Sequence, residues 1–227
     1  MKITILTGAG VSAESGLGTF RDVDGLWTKY DLEEVATPEG FARNPALVQD
    51  FYNARRANCA SAAPNAAHTA LARLQKSTHD VTLITQNVDD LHERGGATGV
   101  IHMHGELMRA LCAACDHRWD APAIMHASDT CPACKATATR PDVVWFGEIP
   151  YHMDHIMQAV ARCDLFVAIG TSGDVYPAAG LVDLAHDAGA DTLEINLAPS
   201  SRANAFARSL TGPATETVPA WVADTLG

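Results

Sequence analysis

The start of the chain constrains the fold more than any other segment, because an apolar strand runs directly into a glycine turn. Residues 2–7 read Lys-Ile-Thr-Ile-Leu-Thr, and residues 8–13 read Gly-Ala-Gly-Val-Ser-Ala. This Gly-x-Gly-x-x-Ala spacing after a strand matches the dinucleotide-binding pattern, in which glycines let the backbone approach a pyrophosphate and a helix N-terminus supplies N–H donors. We therefore expect a dinucleotide at this turn; a tight turn without a ligand is the alternative.

The chain after this turn differs from that of an ordinary dehydrogenase. Such a fold continues through a helix into a second strand that ends in an acidic residue about 20 positions on. Here residues 16–22 read Gly-Leu-Gly-Thr-Phe-Arg-Asp, which predicts a loop. Chemistry other than plain hydride transfer is therefore favoured, and a nicotinamide-cofactor dehydrogenase is the competing enzyme class.

Strands and helices alternate along the rest of the chain. We predict further strands near residues 81–85, 142–145, 165–169 and 192–197, and helices near 45–59, 64–76, 88–94, 152–162, 177–188 and 213–226. This alternation predicts an α/β fold, a Rossmann-like parallel sheet with helices on both faces.

Four of the six cysteines form two Cys-x-x-Cys pairs, Cys112 with Cys115 and Cys131 with Cys134. Two such pairs complete the closed tetrahedron of one structural zinc ion, with no open position for a catalytic water. We therefore predict a small inserted zinc-binding lobe in a single catalytic domain over residues 1–227. The predicted large lobe covers about 1–30, 78–104 and 142–227, and the small lobe about 31–77 and 105–141.

Charge and hydropathy exclude several classes of protein. The net charge of −11 argues against broad nucleic-acid binding and favours basic partners such as lysine-rich peptides, although solubility alone would explain it equally well. Apolar runs are too short to cross a bilayer, and the N-terminus lacks the core of a signal peptide. Together with cysteine pairs suited to a reducing compartment, these features predict a cytoplasmic protein.

In their order along the chain, these segments resemble the sirtuin family. Besides the cysteine pairs, the matching segments are residues 8–12 (GAGVS), 19–21 (TFR), 85–89 (TQNVD), 104–105 (HG), 143–148 (VVWFGE), 170–172 (GTS) and 196–197 (NL). The resemblance implies an NAD-dependent protein-lysine deacylase, in which acyl-lysine enters between the two lobes and the products are lysine, nicotinamide and O-acyl-ADP-ribose. Mono-ADP-ribosyl transfer to protein is the alternative within the family.

The resemblance also implies roles for individual residues. His104 would be the base that deprotonates a ribose hydroxyl, with Asn87 as a second catalytic residue; spacing alone does not separate His104 from His92 and His102. The residues that would bind NAD are Gly8, Ala9, Gly10, Ser12, Ala13, Glu14, Thr19, Phe20, Arg21, Trp27, Gln86, Asn87, Asp89, Gly170, Thr171, Ser172, Asn196, Leu197 and Ala214. The substrate peptide would pair as an added strand with Val143, Val144, Trp145, Phe146 and Gly147.

A helical segment at residues 51–56 predicts which acyl group is removed. Tyr52 and Arg55 are three residues apart and share a helix face, and a phenol beside a guanidinium forms a carboxylate receptor. This pair resembles that of the bacterial class III, sirtuin-5-like subgroup, which removes succinyl and malonyl groups, and Ala36 resembles the small residue that leaves room for them. We expect activity on both acetyl and acidic acyl groups. An exposed pair without a ligand is the alternative.

Two positions depart from the family pattern. Gly18 stands where many members have a proline or a charged residue, and Ala198 follows Asn196-Leu197 where an acidic residue is expected, so one adenosine-ribose contact is expected to be missing. The expected partners are acylated-lysine proteins or peptides, without nucleic acid or membrane, and the chain is expected to be a monomer. A binding module without catalysis is the last alternative.

Overall fold

A six-stranded sheet forms the centre of the protein in the computed structural model, which describes residues 1–18 and 30–227. Its strands have the order β3-β2-β1-β7-β8-β9, and each neighbouring pair is parallel. They span β1 (Lys2–Thr7), β2 (Asp80–Thr85), β3 (Ile101–His102), β7 (Leu165–Ile169), β8 (Asp191–Asn196) and β9 (Arg208–Thr211). The predicted Rossmann-like parallel sheet is confirmed.

Helices cover both faces of this sheet, because successive side chains of a strand point to opposite faces. On one face, Ile3 and Ile5 of β1 pack in a core with α4 (Ala66–Gln75) and α8 (Ala214–Leu226). On the other face, Leu6 packs with α6 (Met153–Val160) and α7 (Leu181–Asp187). The sheet is therefore buried on both sides, and ligands reach it at the ends of its strands.

A smaller antiparallel sheet lies between β3 and α6 in the chain. Its order is β5-β4-β6, with β4 (Gly105–Cys112), β5 (Arg118–Asp120) and β6 (Thr139–Val143). A third core joins it to the three helices before α4, and contains Phe51, Leu107 and Trp145. These helices are α1 (Leu32–Val35), α2 (Pro38–Arg43) and α3 (Pro45–Ser61); α5 (Leu91–Arg94) follows β2.

Several elements differ from the sequence-based prediction. A helix was expected after the glycine turn, but residues 9–11 and 13–15 form two single 3-10 turns, and Gly16 at φ +86° ends the second. α1, α2 and β9 were not predicted, because α1 and α2 are only one or two turns long and β9 is exposed along its whole length. α4 packs on the large sheet although the predicted small lobe extends to residue 77, and the division into lobes stays a prediction.

Candidate active site

Three glycines bring two loops into contact at the carboxyl ends of β1 and β7. Gly8 N donates to Ile169 O at 2.9 Å, and Gly10 N donates to Gly170 O at 2.8 Å. A Cβ on Gly10 would lie 2.7 Å from the Cα of Gly170, which itself has φ +63°. The glycines of the sequence pattern are therefore required by backbone contact, at the edge of the sheet where Rossmann-type folds bind dinucleotides.

Four predicted NAD residues form one hydrogen-bonded group at this edge. Asn87 Nδ2 donates to Gly8 O at 3.1 Å and to Ser12 Oγ at 3.2 Å, and Ser12 Oγ donates to Asp89 Oδ2 at 3.1 Å. Burial raises the pKa of Asp89, while hydrogen bonds from Leu91 N and Ser12 oppose that rise. Side-chain hydrogen bonds therefore join the segment after β2 to the glycine turn.

Thr171 connects this group to the predicted adenosine side. Gln86 Nε2 donates to Thr171 Oγ1 at 3.1 Å, and Asn196 Nδ2 donates to Thr171 O at 2.7 Å. Ser201 N, in the loop after β8, donates a hydrogen bond to Ser172 O at 3.3 Å. Hydrogen bonds to Thr171 therefore connect the carboxyl ends of β2, β7 and β8.

The remaining predicted NAD residues lie at the two ends of this row or beyond the described chain. Glu14 accepts hydrogen bonds from Thr215 N at 3.0 Å and Thr215 Oγ1 at 2.7 Å, beside Ala214 at the start of α8. Leu197 is 71% exposed and makes no core contact. Ala9 and Ala13 begin the two 3-10 turns after β1. Thr19, Phe20, Arg21 and Trp27 lie outside the described residues.

Two of the three neighbouring histidines are held in the interior. His92 Nε2 lies 2.9 Å from Thr7 Oγ1, and burial lowers the pKa of His92 to about 3. His102 has both ring nitrogens engaged, Nε2 at 2.9 Å from Glu93 Oε1 and Nδ1 at 3.2 Å from Asn87 O. Both residues are buried, which argues for structural roles.

His104 differs from these two in exposure and in its partner. It is partly exposed between β3 and β4, and its Nδ1 lies 3.1 Å from Gln86 O. Because a carbonyl oxygen only accepts hydrogen bonds, Nδ1 carries the proton in the neutral ring and Nε2 keeps a lone pair. Burial lowers the pKa of His104, so the ring is neutral at pH 7 and has the properties of a general base.

Tyr52 and Arg55 lie together on α3, as their spacing predicts. The Arg55 guanidinium carbon is 5.4 Å from the centroid of the Tyr52 ring, and Trp145 Nε1 donates to the Tyr52 hydroxyl at 2.9 Å. Burial raises the pKa of Tyr52, against the opposing charge of Arg55, so the phenol stays protonated at neutral pH. Ala36 is buried in the same core.

The predicted peptide-binding segment, residues 143–147, leaves the small sheet after Val143, where β6 ends. The amides of Val144, Trp145 and Phe146 already donate to His104 O, Glu148 Oε2 and Ala36 O. A substrate strand added along this segment would therefore have to bond mainly to its carbonyl groups.

The four paired cysteines converge beside the small antiparallel sheet. Their sulfurs all lie within 4.8 Å of one another, with 3.6 Å between Cys112 and Cys134 and 3.8 Å between Cys115 and Cys131. Tetrahedral zinc with Zn–S bonds of about 2.3 Å puts its sulfurs about 3.8 Å apart. The cluster fits a structural zinc ion with four thiolate ligands.

His68 is a site residue that the sequence reasoning missed. Its Nε2 lies 3.3 Å from Ser12 Oγ, and Asn65 N donates to its Nδ1 at 3.2 Å. Burial lowers the pKa of His68 to about 4, so the ring is neutral and supports the Ser12 hydroxyl. The available signal was Asn65, a helix-capping residue three positions before His68 at the start of α4.

Sequence comparison connects this site to characterised proteins. The model of the Sir2 family matches residues 8–177, which include the glycine turn, His104 and the four paired cysteines. An NAD-dependent protein deacylase of Caulobacter vibrioides is 60% identical over 227 residues, covering 98% of this chain and 95% of the relative. An Escherichia coli protein of the same name is 52% identical, covering 97% and 81%.

Solved structures agree with the sequence comparison. A Sir2 homologue in complex with NAD has a TM-score of 0.91 and 40% identity, covering 99% of this chain and 90% of that one. A Sir2 variant with a deacetylated p53 peptide and 3′-O-acetyl-ADP-ribose has a TM-score of 0.82 and 26% identity, covering 98% and 92%. The chain therefore belongs to the Sir2 family, in agreement with its resemblance to the sirtuins.

Proposed function

We propose that this chain is an NAD-dependent protein-lysine deacylase. The observation that carries the proposal is the environment of His104, whose Nδ1 donates to Gln86 O and whose Nε2 is left as the basic nitrogen. The relatives named as NAD-dependent protein deacylases match nearly the whole chain at 52–60% identity, which supports the same activity here.

The chemistry needs a base at one step. The amide oxygen of the acyl-lysine attacks the ribose carbon of NAD, and nicotinamide leaves. His104 Nε2 then takes the proton of a ribose hydroxyl, so that the hydroxyl oxygen captures the acyl group. After water is consumed, the products are lysine and O-acyl-ADP-ribose. The role of Asn87 in this proposal is to orient the ribose and nicotinamide, supported by its bonds to Gly8 O and Ser12 Oγ.

The proposed NAD site follows the row of loops at the carboxyl ends of the parallel strands. Gln86, Asn87 and Asp89 would line the ribose and nicotinamide part, and the loop after β7, with Asn196, would hold the adenosine part. The close contact of Gly8 and Gly10 with Gly170 supports this arrangement, since it leaves backbone without side chains at that edge. The four cysteines would hold zinc for structure only.

Acyl-lysine peptides and proteins are the proposed substrates. Among the described residues, no helix has the length and apolarity needed to cross a membrane. A cytoplasmic location and a monomeric state stay predictions.

The decisive experiment is mass spectrometry of acetyl- and succinyl-lysine peptides incubated with the protein, with and without NAD. We expect deacylated peptide and nicotinamide only when NAD is present. Transfer of labelled ADP-ribose to the protein substrate, with the acyl group retained, would contradict the proposal and favour mono-ADP-ribosylation.

We also propose that Tyr52 and Arg55 bind the carboxylate of succinyl- or malonyl-lysine. Arg55 would pair with the carboxylate and the Tyr52 hydroxyl would donate to it. Arg55→Met is expected to cost about 2–4 kcal/mol, roughly 30-fold or more in kcat/KM, on the succinyl peptide, and little on the acetyl peptide. Arg73→Met, an exposed arginine of α4, is the matched control. Equal losses on both peptides would contradict this pocket assignment.

A further inference from the structure

The hydroxyl of Tyr52 is approached by groups that only donate hydrogen bonds. Trp145 Nε1 donates to it at 2.9 Å, and the Arg55 guanidinium carbon lies 5.4 Å from the centroid of the Tyr52 ring. A phenol oxygen accepts two hydrogen bonds and donates one, whereas indole and guanidinium N–H groups have no acceptor. Within residues 1–18 and 30–227, no group accepts the Tyr52 proton. The hydroxyl thus accepts a hydrogen bond from Trp145, and its own proton is available for an added acceptor.

The indole of Trp145 is itself held on several sides. The guanidinium carbon of Arg140 lies 3.5 Å from the Trp145 ring centroid, and the Phe41 ring centroid lies at 5.2 Å. The backbone N of Trp145 donates to Glu148 Oε2 at 2.8 Å. Trp145 is 3% exposed and Tyr52 1%, so neither ring has room to turn without moving these neighbours.

Arg140 is committed to this support and is not a second receptor for anions. Its two Nη atoms bond to Glu148 Oε1 at 2.6 Å and Oε2 at 2.9 Å, and Nη2 also donates to Val143 O at 2.8 Å. The bidentate pair neutralises the guanidinium and fixes its plane against the indole. Arg140 therefore acts through Trp145 and not by binding the substrate carboxylate itself.

We infer that Trp145 is a positioning residue for acidic acyl groups, which holds the Tyr52 hydroxyl so that its proton points to the substrate carboxylate. Arg140 and Glu148 hold Trp145 in turn. The inference rests on the proposed function, since it needs the acidic acyl group to lie at Tyr52 and Arg55. Trp145 would act indirectly, through the Tyr52 hydroxyl. Its substitution should therefore change the preference between succinyl- and acetyl-lysine peptides more than it changes overall turnover.

The test is Trp145→Phe, which keeps an aromatic ring and removes the N–H donor. We expect KM for a succinyl-lysine peptide to rise about tenfold, as for one weakened hydrogen bond to a charged group. Because Trp145 also lies in the proposed peptide-binding segment, the readout is the ratio of the succinyl KM to the acetyl KM, from which any loss common to both peptides cancels. This ratio should rise about tenfold, because acetyl has no carboxylate. Trp119→Phe, at a ring of β5 stacked on His117, is the control and should leave the ratio unchanged.

A double-mutant cycle with Tyr52→Phe separates positioning from packing. If Trp145 acts through the hydroxyl, Trp145→Phe should add little to the succinyl KM once that hydroxyl is gone. Equal losses on acetyl and succinyl peptides, or full additivity in the cycle, would overturn the inference. If Trp145→Phe does not fold, Arg140→Lys takes its place, since it keeps the charge but loses the planar stacking on the indole, and should raise the succinyl KM selectively.

Arg55→Met distinguishes the two levels of failure. If it weakens succinyl selectively and Trp145→Phe does not, the inference alone is wrong. If Arg55→Met affects both peptides equally, the acidic-acyl pocket itself is wrong. If the unsubstituted protein shows no NAD-dependent turnover of either peptide, the deacylase proposal itself is wrong.

Discussion

The chemistry available to a single residue in this site depends on which of its polar atoms already have hydrogen-bond partners. His92 and His102 precede His104 by 12 and 2 positions in the sequence. Thr7 contacts His92, and Glu93 contacts His102, in the interior of the protein. His104 has one ring nitrogen on a backbone carbonyl and is partly exposed. Because all three residues are histidines, it is their hydrogen-bond partners and burial that distinguish the proposed base from the two structural residues.

The lowered pKa of His104 gives a prediction for the pH dependence of turnover. Because burial disfavours the charged ring, the base form should persist below pH 6.5, the usual histidine value, and kcat/KM should fall only at more acidic pH. His104→Ala should lower kcat/KM by about 10²- to 10⁴-fold and remove this acidic limb. The measurement is the pH profile of kcat/KM, with exposed His155→Ala as the control. A limb centred above pH 6.5 would contradict the assignment.

At the scale of elements, the sequence predicted the longer strands and helices with a clear apolar pattern and missed the short ones. The parallel strands β1, β2, β7 and β8 and the larger helices follow from buried apolar runs and proline starts, and the zinc cluster follows from cysteine spacing alone. One-turn helices such as α1, and the exposed β9, carry no comparable pattern. The contact of Trp145 with Tyr52 joins residues 93 positions apart, so no local signal could predict it.

The contact between the glycine turn and the loop after β7 can be tested with a matched pair of glycines. Gly170 and Gly189 both have positive φ, but a Cβ would lie 2.5 Å from Val11 N at Gly170 and would meet nothing at Gly189. Gly189→Ala should cost about 1–2 kcal/mol of unfolding free energy, from backbone strain alone. Gly170→Ala should cost about 1–3 kcal/mol more and weaken NAD binding. Equal costs in denaturant titrations would show that the two loops do not need this close contact.

The cysteine cluster predicts how the small sheet depends on metal. Cys131→Ser should remove the ion and lower the free energy of unfolding by several kcal/mol, since zinc binding contributes about 10–16 kcal/mol in small zinc-binding peptides. Metal content per chain and thermal melting are the measurements. Cys163→Ser, at a buried cysteine outside the cluster, should keep one zinc per chain. A metal-free Cys131→Ser protein with unchanged stability would argue against a structural ion.

At the scale of the whole molecule, charge is the property that the fold does not explain. The chain carries 27 acidic and 16 lysine or arginine residues, for a net charge of −11. Such a surface attracts basic peptides over distances up to the Debye length, about 10 Å at 0.1 M salt. The proposed acyl pocket has the opposite local charge at Arg55, so we expect the peptide and an acidic acyl group to be attracted by different parts of the protein.

This division predicts how salt affects different substrates. Raising ionic strength from about 0.02 to about 0.2 M should raise KM a few-fold for an acetyl-lysine peptide flanked by lysines, because screening removes long-range attraction. The same acetyl-lysine flanked by serines should change little and serves as the control. A KM for the basic peptide that is independent of salt would mean that the net charge serves solubility only.

The link that carries His104 has a consequence for how such a chain can change in length. Met103 is buried, bonded through N to Thr85 O and through O to Tyr151 N, and Gly105 already begins the small sheet at φ +80°. Only two residues, Met103 and His104, separate β3 from β4, so one inserted residue would set a different side chain beside Gln86 O. An insertion or deletion in this link is therefore expected to displace the proposed base as effectively as a substitution would.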